Sequence, residues 1–103
     1  MDHRPQLQKT LEEINGINRV YFSPTVNTKM EYPCIRFSLN QRTAIHADNK
    51  KYIKGESFII TFITRNVVTA PDVLEQLEEI PFCNFERCFV ADGLYHYVYT
   101  KNY

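Results

Sequence analysis

The run Phe58-Ile59-Ile60-Thr61-Phe62-Ile63 limits the possible folds of this chain more than any other stretch, because both of its alternating faces are apolar. At the strand period of two, Phe58, Ile60 and Phe62 fall on one side and Ile59, Thr61 and Ile63 on the other. The run is far shorter than the ~20 residues that cross a membrane as a helix. Glu56 to Arg65 therefore reads as a strand that is central in a sheet or covered on its second side.

The flanking segments supply its neighbours. Arg19 to Phe22 is a short strand closed by Ser23-Pro24, and Thr25 to Glu31 reads as an exposed loop. Tyr32-Pro33 opens a second strand, Cys34 to Leu39, with Ile35, Phe37 and Leu39 on one face and Arg36 and Ser38 on the other. Pro5 to Ile14 carries Leu7, Leu11 and Ile14 on one helical stripe, with Pro5 in its first turn and Asn15-Gly16 as its stop. A second helix runs from Ala70 to Ile80 with Val73, Leu74, Leu77 and Ile80 inward, and Pro81 ends it. Two closing strands, Phe85 to Val90 and Tyr95 to Tyr103, are joined by the turn Ala91-Asp92-Gly93. The expected fold is a single α+β domain, residues 1–103, in the order α-β-β-β-α-β-β. Both helices would lie on one face of a largely antiparallel sheet.

Composition narrows the function classes. Hydrophobic residues at 44% and charged residues at 23% are globular values that exclude a disordered chain. Twelve basic residues balance twelve acidic ones, so nothing pulls the whole domain toward nucleic acid or an anionic membrane. Cys34, Cys83 and Cys88 make an odd set too sparse for a disulfide framework, which points to a reducing compartment. The opening Met1-Asp2-His3-Arg4-Pro5-Gln6 does not read as a secretory signal, and the expectation is a soluble cytosolic protein.

Catalytic constellations are hard to find. The three glycines are scattered and form no phosphate-binding loop. Cys83, Cys88 and His96 have spacings that match no common zinc pattern, and Cys34 and Cys88 read as small buried hydrophobes in strands. His46 reads as solvated and His96 as locally hydrogen-bonded, with Asp92 the nearest acceptor in sequence. Glu75, Glu78 and Glu79 share an outer helix face without the separated pair that acid–base chemistry uses. The expectation is a non-enzyme with no metal and no cofactor.

Binding surfaces are better supported. Tyr95, Tyr97, Tyr99 and Tyr103 alternate along the last strand, where exposed rings could stack on bases. With only Lys101 beside them they read instead as core or as a protein interface, which makes Tyr97 and Tyr99 interface candidates. Arg42, Lys50, Lys51 and Lys54 crowd the segment before the central strand, while Asp72, Glu75, Glu78 and Glu79 make the second helix acidic. Opposite patches on a neutral domain suit a head-to-tail ring, or else are two solvated faces. Asn40 to Gly55 is expected to be a polar loop, mobile in the free subunit and ordered against a neighbour. The rival reading is an extended hairpin with Ala47-Asp48-Asn49 at its tip.

Several strings in this order resemble the small tail terminator proteins of long-tailed bacteriophages. They are Val20-Tyr21-Phe22-Ser23-Pro24, Tyr32-Pro33-Cys34-Ile35, and Ala47-Asp48-Asn49 with Tyr52. The closing Phe82-Cys83-Asn84-Phe85-Glu86-Arg87 and Ala91-Asp92-Gly93-Leu94-Tyr95-His96 extend the likeness over residues 18 to 103. Thr64-Arg65-Asn66-Val67-Val68-Thr69 departs from it, where a more acidic, proline-containing turn is expected. The resemblance implies a structural virion protein, assembled in the host cytoplasm, that forms a hexameric ring at the head-proximal end of the tail. Such a ring stops tail-tube polymerisation, meets head completion (stopper) proteins, and leaves a lumen through which DNA passes. A head-side connector and a small nucleic-acid-binding module are the alternatives.

Overall fold

A computed structural model describes residues 3–15, 17, 19–23, 31–46, 52–68 and 70–102, with the backbone alone described for 41–46 and 52–54. The elements follow the expected order: α1 (Arg4–Glu12), β1 (Arg19–Phe22), β2 (Cys34–His46), β3 (Tyr52–Thr64), α2 (Ala70–Glu78), β4 (Cys83–Ala91) and β5 (Leu94–Asn102). The fold is α+β. The expected loop at 25–31 falls outside the described residues except for Glu31.

One sheet holds all five strands in the order β1-β2-β3-β5-β4. Only β1 and β2 run parallel; the other pairs are antiparallel. β3 is paired along both edges and has a cluster packed on each face, which is why both of its faces can be apolar. Phe58, Ile60 and Phe62 lie under the helices, with Leu7, Leu11 and Ile14 of the α1 region and Ala70, Val73 and Leu77 of α2 packed on them. Both helices therefore cover one face. On the other face Ile63 joins Cys34 and Leu94 in a smaller cluster, against which Tyr21 and Tyr32 pack. Burying a leucine such as Leu11, fully enclosed here, stabilises the domain by about 1.5–3 kcal/mol.

The turn between β4 and β5 has the predicted chemistry. Ala91 pairs with Leu94 across a two-residue loop, and Asp92 and Gly93 both take positive φ, 54° and 73°. That is the mirror-image turn whose twist matches antiparallel strands, and Asp-Gly is among its preferred sequences.

Within Asn40 to Gly55 the described residues are strand, not loop, and for them this expectation is overturned. β2 runs on to His46 and β3 begins at Tyr52, paired continuously from Gln41↔Ser57 to His46↔Tyr52. The misreading has a physical cause. Backbone pairing between two strands does not by itself require an apolar face, so the polar composition that suggests a loop is equally compatible with a hairpin. The pairing sets Arg42 at the register position opposite Glu56. The tip, Ala47-Asp48-Asn49, lies outside the described residues, as do Lys50 and Lys51.

Candidate assembly surfaces

Two features of the sheet leave surface without a partner among the described residues. The first is the ribbon. β5 pairs with β3 only from Ser57 to Thr64, and β1 pairs with β2 only from Cys34 to Phe37. Beyond Leu39 and Ser57 the two strands therefore have only each other among the described residues. A register shift between Leu39 and Gln41 marks the departure point; such bulges bend a strand and re-aim the residues beyond them. At the base, Glu56 is buried and accepts from the His3 backbone N–H at 3.1 Å, with His3 Nδ1 2.6 Å from the same oxygen. The start of α1 thus clamps the root of the arm. Arg42 and Lys54 are strand residues of the arm, at register positions opposite Glu56 and Ala44.

The second is β4, an edge strand. Apart from buried Cys83 and half-buried Ala91, every residue along it is exposed. Phe85, Phe89 and Val90 keep 50%, 41% and 61% of their surface, and Phe82 just before the strand keeps 74%. Phe85 sits edge-on to Tyr99 at 5.3 Å, and Phe89 stacks on His96 at 4.7 Å, so apolar groups protrude from both faces. Neither proline nor lysine lies within it, and its edge guards are the charges Glu86 and Arg87 and a register shift between Phe85 and Arg87. Sequence reasoning missed this surface. The strand itself was legible, but its position at the margin is a property of topology.

The acidic helix keeps most of its expected exposure. Asp72, Glu75 and Glu79 of the α2 region face solvent. Glu78 does not stand free: its carboxylate accepts the Tyr99 hydroxyl at 2.9 Å. Tyr99 is itself completely buried, and its place among the interface candidates is withdrawn because nothing of it reaches a partner. Burial, and then the bond to Glu78, push its phenol pKa upward. Tyr97 stacks on Phe62 at 5.9 Å and is half-buried against the main core. The tyrosine stripe is core in its middle, which removes the platform on which bases would stack.

The cysteines are only partly as expected. Cys34 is a buried small hydrophobe, but Cys88 is exposed because its strand is the edge. Burial pushes the Cys34 and Cys83 thiols up to about 11, the opposite of an activated nucleophile. Cys88 pairs with Tyr97 and His96 with Phe89, so Cys88 and His96 occupy opposite faces and share no site. His96 is locally bonded, with Nδ1 3.2 Å from the Leu94 carbonyl oxygen and not at Asp92. Among the described residues no three His, Cys, Asp or Glu side chains gather to hold a metal. No described helix is long and apolar enough to cross a membrane.

Lys101 belongs to the fold. Its ammonium lies among Pro81, Phe82 and Asn102, donating to the Pro81 carbonyl at 2.7 Å, so it closes the end of the α2 region. Burial lowers its pKa. Compared with protein-family models and with curated proteins, the chain matches none.

Proposed function

We propose that this chain is a structural virion protein of the tail terminator kind. Copies join as a ring, expected to be a hexamer, at the head-proximal end of a phage tail; the ring halts tube growth, meets the head completion protein and lets DNA through. The observation that carries this reading is the arm. Five cross-strand pairs, Arg42↔Glu56 to His46↔Tyr52, extend past the other described strands of the sheet, and an isolated two-stranded ribbon is marginal in water. An arm of that kind gains its stability from a neighbour. Arg42, Lys50, Lys51 and Lys54 give it positive charge, while Asp72, Glu75 and Glu79 expose a negative face on α2. A ring closes head to tail through two different surfaces of one subunit, and these two are complementary in sign.

Electron microscopy of the purified chain mixed with polymerising tail-tube subunits tests the proposal. Rings with a central hole, seated on tube ends and fixing tube length, are the expected result. Replacing Glu75 and Glu79 with Lys, and sparing Glu78 because it holds Tyr99, should leave the monomer folded and abolish the rings. Tubes that grow unchecked in the presence of folded wild-type chain would overturn the reading.

A further inference from the structure

We infer that β4 pairs antiparallel with β4 of a second copy of this chain, in the register that sets Glu86 opposite Arg87 of the other copy. A sheet edge presents a row of backbone donors and acceptors ready for another strand, and this edge is nine residues long with apolar groups on both faces. Its charges are what select a copy of itself. Glu86 and Arg87 are adjacent and opposite in sign at the middle of the strand. Antiparallel self-pairing about a two-fold axis brings each against the other twice.

The bulge makes this register fit. In a regular strand, setting residue 86 against residue 87 would oppose side chains from different faces of the sheet, since the side-chain period is two. β4 is not regular: its pairing with β5 shifts between Phe85 and Arg87. Cys83, Phe85, Cys88 and Val90 oppose Lys101, Tyr99, Tyr97 and Tyr95, on the helix-covered face. Asn84, Arg87 and Phe89 oppose Thr100, Val98 and His96 on the other. With Glu86 against Arg87 of the second copy, Phe85 meets its Cys88 and Cys83 meets its Val90 on the first face. Asn84 meets Phe89 on the second. Each of these pairs then joins residues of one face, and Glu86, the extra residue of the bulge and without a partner in β5, is left to meet Arg87. Slipping by one residue either way sets Arg87 against Arg87 or Glu86 against Glu86, and mixes the faces.

The size of the patch sets the strength. At ~200 Å² per ring, the exposed fractions of Phe82, Phe85 and Phe89 come to roughly 330 Å² per copy. That is below half of the ~800 Å² per partner of a standard interface, so the dimer is concentration-dependent. A two-fold contact closes on itself and cannot build a ring. The pairing therefore goes beyond the ring proposal, and its success or failure is read separately.

Phe85→Cys tests the register. The new thiol is placed opposite the native Cys88 of the second copy, at the ~4.5–5.5 Å Cα separation of opposed residues, which a disulfide spans. Within one chain the same two residues are about 10 Å apart along the strand, too far to close. Mild oxidation should give a covalent dimer from Phe85→Cys, and removing Cys88 by Cys88→Ser in that background should abolish it. A dimer forming equally fast in the wild type through Cys88 alone would overturn the register. Charge exchange is the second test and leaves the core untouched. In analytical ultracentrifugation Glu86→Arg should weaken the dimer by roughly tenfold, and the double variant Glu86→Arg, Arg87→Glu should recover it. A folded wild-type chain that stays monomeric at all concentrations, or a Glu86→Arg variant that dimerises unchanged, would sink the inference whether or not rings form on tube ends.

Discussion

Gln76 grips the backbone of Asn15 from both sides: its Oε1 accepts the Asn15 N–H at 3.0 Å and its Nε2 donates to the Asn15 carbonyl at 3.1 Å. Asn15 lies just past α1 and Gln76 within α2, so one side chain does for the two helices what a ladder rung does for two strands. The helices reach the core through separate stripes, and this clamp fixes the chain leaving α1 against α2. Gln76→Ala should cost about 1–2 kcal/mol, two bonds at about 0.5–1.5 kcal/mol each, less what water restores at an exposed site. Gln76→Glu keeps the acceptor, loses the donor, and should fall between. Urea midpoints at constant slope measure both; an unshifted Gln76→Ala would make the clamp ornamental.

Tyr99 is the second target, because its ring is wholly buried while its hydroxyl finds Glu78 at the helix surface. Tyr99→Phe keeps the packing with Phe85 and releases an exposed carboxylate to water, so its cost should be near 1 kcal/mol. Tyr99→Ala removes the ring and should cost about 3–5 kcal/mol. Equal losses from the two variants would mean that the hydroxyl, not the ring, dominates, against the burial seen here.

Alkali should weaken the fold through its buried thiols. Cys34 and Cys83 hold their protons up to about 11 in the folded chain, against 9.0 when free. Between those values the folded state binds more protons than the unfolded one, so stability is intact below pH 9 and falls as pH rises toward 11. The loss is on the order of 2 kcal/mol per thiol. Tyr99, whose pKa is also raised, adds to the fall at higher pH. Lys101, whose pKa is lowered, opposes it, since its charged form is the disfavoured one. Cys34→Ala should flatten the decline in stability between pH 8 and 11, measured by urea unfolding at each pH. A slope identical to wild type would show that the thiol proton is not linked to folding.

The legible parts of this fold were those with an apolar period. Phe58 to Ile63 announced a central strand, Leu7, Leu11 and Ile14 a helix, and Asp92-Gly93 a two-residue turn, each because packing or backbone sterics leaves little choice. The arm was illegible for the converse reason: its polar sequence carries no apolar alternation, and cross-strand backbone pairing does not demand one. Position within the sheet was also hidden. Cys88 read as buried because its strand is apolar, yet that strand lies at an edge, and Tyr99 read as a candidate contact because tyrosine suits both settings. Of the charged candidates, Glu75 and Glu79 are solvent-facing, whereas Glu78 is engaged by a residue 21 positions away, a pairing no local pattern encodes.

The arm and the sheet should respond oppositely to the same substitution. Proline removes a backbone donor and cannot continue a ladder. At Ile59 it would strike a residue paired on both sides, with Ser38 and Thr100, and should cost several kcal/mol and prevent folding. At Ile53, in the same strand, the only ladder partner among the described residues is Ile45. Ile53→Pro should therefore shift the unfolding midpoint by less than about 1 kcal/mol, because a two-stranded ribbon adds little stability by itself, while ring formation on tail tubes is lost. Amide exchange would then show residues 41–46 deprotected and the strands under the helices unchanged. If Ile53→Pro unfolds the whole domain, the arm is part of the cooperative core and not a limb awaiting a neighbour; if the variant still assembles, the arm is not what joins the subunits.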